Sequence, residues 1–141
     1  NLSAVFVRKF TETDRPPKAM YLIAQRQFAR KLVPGDDHFT SQLGAQIGPL
    51  FAARIRKPLK WTDFTPPPGV DTVLLELKLR EEPLLPIDAM PKYRAFIERC
   101  FAEQKFFGKT AREKAGILPE KIPSQLTLEE WVKLFSVSTL N

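Results

Sequence analysis

Cysteine is almost absent from this chain: Cys100 stands alone among 141 residues. An internal disulfide and a cysteine-rich metal site are thereby excluded, and the expectation is the cytoplasm or another reducing compartment. Histidine is as scarce, with His38 the single one, so no Ser-His-Asp arrangement or histidine-based metal set is supported. There are only 6 glycines and no glycine-rich phosphate loop, which leaves no cofactor to expect. Apolar runs fall far short of the ~20 residues of a membrane-spanning helix. The amino terminus, NLSAVFVRKF, lacks the basic-then-apolar order of a secretory leader. Internal repeats and low-complexity tracts are also missing.

Phenylalanine and proline are abundant instead. There are 11 Phe against 2 Trp and 2 Tyr, which suggests a core with few polar handles. Hydrophobic residues make up 43% and charged residues 27%, an ordinary balance for a globular chain of one-domain length. SAVFVRKF (3–10) alternates loosely and predicts an opening strand. AMYLIAQRQFARKLV (19–33) repeats Met20, Ala24, Phe28 and Leu32 at four-residue intervals and predicts a helix, with a strand over 19–24 as the alternative. Phe39, Leu43, Ile47, Leu50, Phe51 and Ile55 mark a second helical face that Gly48-Pro49 should end or kink. VDTVLLELKLR (70–80) is the strongest strand, KYRAFIERCFAEQKFF (92–107) the strongest helix, and TLEEWVKLF (127–135) opens with a Thr127–Glu130 capping box. Thirteen prolines punctuate the chain, most densely at 65–69, a connector inside what reads as one domain over 1–141. The predicted fold is a small α+β domain whose short sheet packs with three or four helices.

Charge is unevenly placed. Residues 1–60 carry eleven Lys/Arg against four Asp/Glu, a net +7, whereas residues 61–141 carry eleven against twelve, a net −1. The densest basic stretch, RIRKPLKW, groups Arg54, Arg56, Lys57 and Lys60 beside Trp61, and Arg26, Arg30 and Lys31 could extend it. Cations neutralise phosphates and an indole stacks on exposed bases, so this set predicts a nucleic-acid-binding surface for DNA or RNA. An acidic protein surface would satisfy the same charges. The expected function is a non-enzymatic binding or regulatory protein, with a protein–protein adaptor, including a homo-oligomer, as the alternative.

Two stretches carry motif-like spacing. TAREKAGILPEKIPSQL (110–126) resembles the phage-repressor helix-turn-helix, with Thr110–Ala115 as first helix, Gly116 as turn, and Ile117 and Ile122 as buried anchors. Pro123 would fall inside the recognition helix and break it, so the stretch reads better as a helix end, a glycine cap and a linker. Glu76-Leu77-Lys78 with Asp63 resembles the skeleton of the PD-(D/E)xK nucleases. That resemblance implies a divalent metal on the carboxylates and a lysine beside the attacking water. Cross-strand alternation produces the same Glu-x-Lys spacing on any solvent face. Asp36-Asp37-His38 reads as a helix cap rather than a metal cluster, and Cys100, between Ile97 and Phe101, as a buried structural residue.

Overall fold

In the computed structural model of the chain, residues 2–34, 40–59 and 71–139 are described. Among them are six α-helices and three strands, β1 (Ala19–Gln25), β2 (Phe51–Leu59) and β3 (Thr72–Leu79), in an antiparallel sheet ordered β1-β3-β2. The fold is therefore α+β, as the sequence predicts. The Asp36–His38 cap and the 65–69 connector lie outside the described residues.

The opening segment is a helix, α1 (Leu2–Thr11), and not the predicted strand. Ala4, Val7 and Thr11 turn inward at helical spacing, with Val7 and Thr11 fully buried. The Thr11 hydroxyl donates to the Val7 carbonyl one turn back. The β-branched valines favour a strand only locally, and packing overrides that preference.

Residues 19–33 split into β1 and α2 (Arg26–Leu32), so the strand alternative holds for the first half. A four-residue repeat is compatible with both periods. Met20, Leu22 and Ala24 share one face of a strand, whereas Phe28, Ala29 and Leu32 are the buried face of a helix. The second predicted helical face is likewise two elements. α3 (Gln42–Ile47) is capped by Ser41, whose side chain accepts from the Gly44 N–H at 3.0 Å. It ends at Gly48-Pro49 and the chain continues as β2 rather than as helix. Gly48 is closely approached by α6: a Cβ there would stand 2.6 Å from Leu128 Cδ1, so the leucine would have to shift to admit one.

β3 is the central strand and follows its expected pattern, with Val73, Leu75 and Leu77 buried in the core. α4 (Met90–Ala102) buries Met90, Tyr93, Ile97 and Cys100, and α5 (Gln104–Gly108) follows after a break at Glu103. No helix forms over Thr110–Ala115, and Ile122 is exposed, so the helix-turn-helix is absent. Gly116 adopts φ +74°, a left-handed conformation that glycine reaches without strain. α6 (Leu128–Thr139) closes the fold. Trp131 stacks on Phe101 with ring centres 5.7 Å apart, and Phe135 meets Tyr93 edge-on at 5.3 Å. Tyr93 donates from its hydroxyl to the Ala45 carbonyl at 2.7 Å, joining this aromatic layer to α3.

Candidate functional site

The polar centre of the sheet lies on the face opposite the core. Alternation along β3 sends Glu76 and Lys78 away from Val73, Leu75 and Leu77. Register then sets Tyr21 of β1 directly opposite Glu76 on one side and Arg54 of β2 directly opposite it on the other. Between Ile55 and Lys57 the β2–β3 register shifts by one residue, so Arg56 has no partner of its own in the ladder. Arg54 Nε stands 3.8 Å from one Glu76 carboxylate oxygen and Arg56 Nη1 3.9 Å from the other.

Glu76 is only 5% exposed, whereas the side chains of Arg54 and Arg56 are 64% and 46% exposed. A buried carboxylate thus faces two guanidiniums, neither at hydrogen-bond distance, that stay largely in water. The Tyr21 hydroxyl hydrogen-bonds to Glu76, and that bond followed by the carboxylate charge raises its pKa above the ordinary tyrosine value. Tyr21 and Glu76 are absent from the set of binding residues that the sequence suggests. The available signal was a lone glutamate in VLLEL facing arginines in ARIRK, an opposite-charge pair across strands.

The other predicted residues are dispersed. Arg26, at the start of α2, pairs with Asp71 just before β3. Arg30 and Lys31 are exposed on α2. That helix buries Phe28, Ala29 and Leu32 in the core, so it packs on the face opposite Arg54 and Arg56. The backbone of Lys57 pairs with Leu74, while Lys60, Trp61 and Asp63 lie outside the described residues. Glu76 and Lys78 share a face, but the Glu76 carboxylate is engaged by two arginines and a tyrosine and is not free for a cation. Among the described residues no group of three or more His, Cys, Asp or Glu could hold a metal ion.

A cavity of about 270 Å³ lies between α2, α3, β2 and the start of α6, with Leu32, Ile47 and Phe51 in its wall and Lys31, Arg80 and Glu129 as its charged residues. No helix among the described residues is long and apolar enough to cross a membrane. Burial pushes the Cys100 thiol up to about 12, against a smaller opposing pull from Arg99, so it is a structural cysteine as expected.

Comparison with known proteins gives the site its context. A ribosomal RNA small subunit methyltransferase A from Mesorhizobium japonicum is 33% identical, over 92% of this chain and 50% of its own length. An rRNA adenine N-6-methyltransferase from Saccharopolyspora erythraea is 28% identical, over 81% of this chain and 33% of its own. The crystal structure of the 23S rRNA methyltransferase ErmE superposes on 99% of this chain and 62% of its own with a TM-score of 0.76, at 25% identity. The chain thus spans about half the length of the Mesorhizobium relative. These relatives are named as ribosomal RNA methyltransferases, and none of the three is named as a DNA-binding or non-enzymatic protein. The ribosomal RNA adenine dimethylase profile matches residues 1–115, and the chain belongs to that family.

Proposed function

We propose that this chain is the part of an rRNA adenine dimethyltransferase that holds the RNA backbone, with Arg54 and Arg56 as its central contacts. The carrying observation is the Glu76 anchor. It draws both guanidiniums to one sheet face, 3.8 and 3.9 Å from its carboxylate oxygens, while leaving them exposed, which suits contacts to phosphate. Arg26, Lys57, Lys60 and Trp61 belong to the same set of RNA contacts in this reading. The carboxyl ends of β1 and β2 and the amino end of β3 meet at one end of the sheet, where those residues lie in sequence. Arg30 and Lys31 form a separate basic patch on the other face.

Methyl transfer to adenine needs an activated donor, whose methyl group sits on a positively charged centre. The cavity beside α6 does not fit one, because Lys31, Arg80 and Glu129 give it a net positive rim. In this reading the described residues contact RNA and the donor is held elsewhere.

The test is fluorescence anisotropy with a ribosomal RNA fragment over a salt series. Removing one phosphate-binding cation lowers the salt slope by roughly one, so the double substitution R54E/R56E is expected to lower it by about two and to weaken binding uniformly across RNA sequences. An unchanged affinity and slope would overturn the assignment.

A further inference from the structure

The cavity of about 270 Å³ between α2, α3, β2 and the start of α6 is used neither by the core nor by the face of Arg54 and Arg56. Protein interiors pack so closely that voids larger than one water are few. A dry apolar void of about 150 Å³ already admits a benzene ring. This cavity is wide because small residues, Gly44, Gly48, Ala52 and Ala53, line it where larger side chains would close it. Two of its walls are locked together. A Cβ on Gly44 would stand 2.9 Å from the Lys31 carbonyl oxygen, and the Ser41 hydroxyl donates to that same carbonyl at 2.7 Å. The space is therefore preformed, as small-molecule sites usually are.

Its walls are largely hydrocarbon, supplied by Leu32, Ile47, Phe51 and Leu128. The threonine hydroxyls on its lining are already engaged: Thr40 donates to the Leu126 carbonyl, and Thr127 accepts from the Glu130 N–H. The side chains left to recognise a ligand are those of Arg80, Lys31 and Glu129. Among the described residues none of the three joins an ion pair. Arg80 is held from behind, since its backbone N–H donates to the Leu50 carbonyl at 2.7 Å and its Nε to the Gly48 carbonyl at 2.8 Å. That anchoring orients a half-buried guanidinium and leaves its two terminal nitrogens for another acceptor. Lys31 and Glu129 stand exposed at the rim.

We propose that this cavity binds a small organic monoanion, a compact apolar body such as one aromatic ring carrying a single carboxylate. The carboxylate takes the terminal nitrogens of Arg80, with Lys31 beside it, and the body lies against Leu32, Ile47 and Phe51. Charge selects the ligand's sign. Two cations against one carboxylate leave a single net positive charge, which matches one negative charge and opposes a cation. A nucleic-acid strand is disfavoured, because its phosphates would shed water against hydrocarbon. The site goes beyond the RNA-contact reading and does not rest on it. Its walls come from β2 and from α6, so an occupant ties the first turn of α6 to the sheet.

The probe is phenylpropionate, titrated into the isotope-labelled chain and followed by NMR, with phenylpropanol and phenylpropylamine as its neutral and cationic counterparts. The methyl signals of Leu32, Ile47 and Leu128 should shift saturably. The acid should bind about 10-fold or more tighter than the alcohol, and the amine weakest. Arg80→Gln should weaken the acid alone, by about 10-fold, and so erase that preference. Lys31→Gln, at the exposed rim, should cost about 2- to 5-fold. If Arg80→Gln disturbs folding, Ala53→Leu decides: it fills the cavity and should abolish binding of all three probes with the dichroism spectrum unchanged. Equal affinity for acid and alcohol, or an amine that binds best, overturns the proposal. So do shifts centred on Phe6 and Ile23, in the apolar groove between α1 and β1, instead of on Ile47. The absence of saturable binding up to about 10 mM overturns it as well.

Discussion

At the scale of single residues, burial decides what each reactive group can do. Cys100 lies 1% exposed on the inner stripe of α4, and its thiol titrates near 12. The thiolate is the reactive form, so at pH 8 a thiol reagent should react with the folded chain at least ~100-fold more slowly than with the urea-unfolded chain. Comparable rates in both states would place the thiol in solvent. Glu76 is also buried, but on the polar face, where two cations and a hydroxyl compensate its charge. The sequence displays Arg54, Arg56 and Glu76 openly but not their convergence, because that depends on which strand lies in the middle. β3 is last in sequence and central in space, so residues some twenty places apart become direct neighbours. Tyr21 was hidden for the same reason.

At the scale of elements, α6 shows a local signal that survives folding intact. Thr127 accepts from the Glu130 N–H at 3.1 Å, and the Glu130 carboxylate accepts from the Thr127 N–H at 2.9 Å, the reciprocal capping box that the sequence spells out. Burial pushes the Glu130 pKa up, but the Thr127 N–H and Lys121 outweigh it, and the net value lies below the ordinary 4.5. A lowered folded pKa means the stabilisation is complete above the ordinary glutamate range and is lost as pH falls through the folded value. Glu130→Ala should therefore cost about 1 kcal/mol at pH 7, read by thermal unfolding, with the difference from the parent chain shrinking as pH falls below the ordinary glutamate value of 4.5. A difference that persists undiminished in acid would show that the charge is irrelevant to the cap.

Elements specified by neighbours only in sequence, such as α6, α4 and β3, were legible. α1 was not, and β1 only as the alternative to a helix, because loose alternation and four-residue repeats satisfy both periods, and only packing chooses between them. Gly48-Pro49 announced a break, and nothing local announced that a strand would follow it. The RNA-modifying family itself left no mark that composition or charge could separate from a plain basic binder.

At the scale of the molecule, hydrogen bonds stitch the helices around the aromatic layer to one another. The Gln46 side chain accepts from Arg8 at 2.9 Å and donates to the Arg94 carbonyl at 3.0 Å, linking α1, α3 and α4, while Tyr93 bonds Ala45. One cluster of buried side chains runs from Val7 to Phe135. Secondary structure and aromatic packing should therefore be lost together, with far-ultraviolet and near-ultraviolet dichroism giving coincident thermal transitions. Separated midpoints would show two independently folding layers.

The ends of the sheet carry one more consequence. Leu59 and Thr72 face each other across β2 and β3, so the chain leaves the sheet and re-enters it one strand-spacing away, about 5 Å. Whatever lies between them is a closed excursion, and the ladder on either side is indifferent to its length. Doubling such a span costs only about 0.6 kcal/mol in closure entropy. The β2–β3 ladder keeps its register whatever joins its two ends, so that join can be rewritten without retuning the strands that flank it.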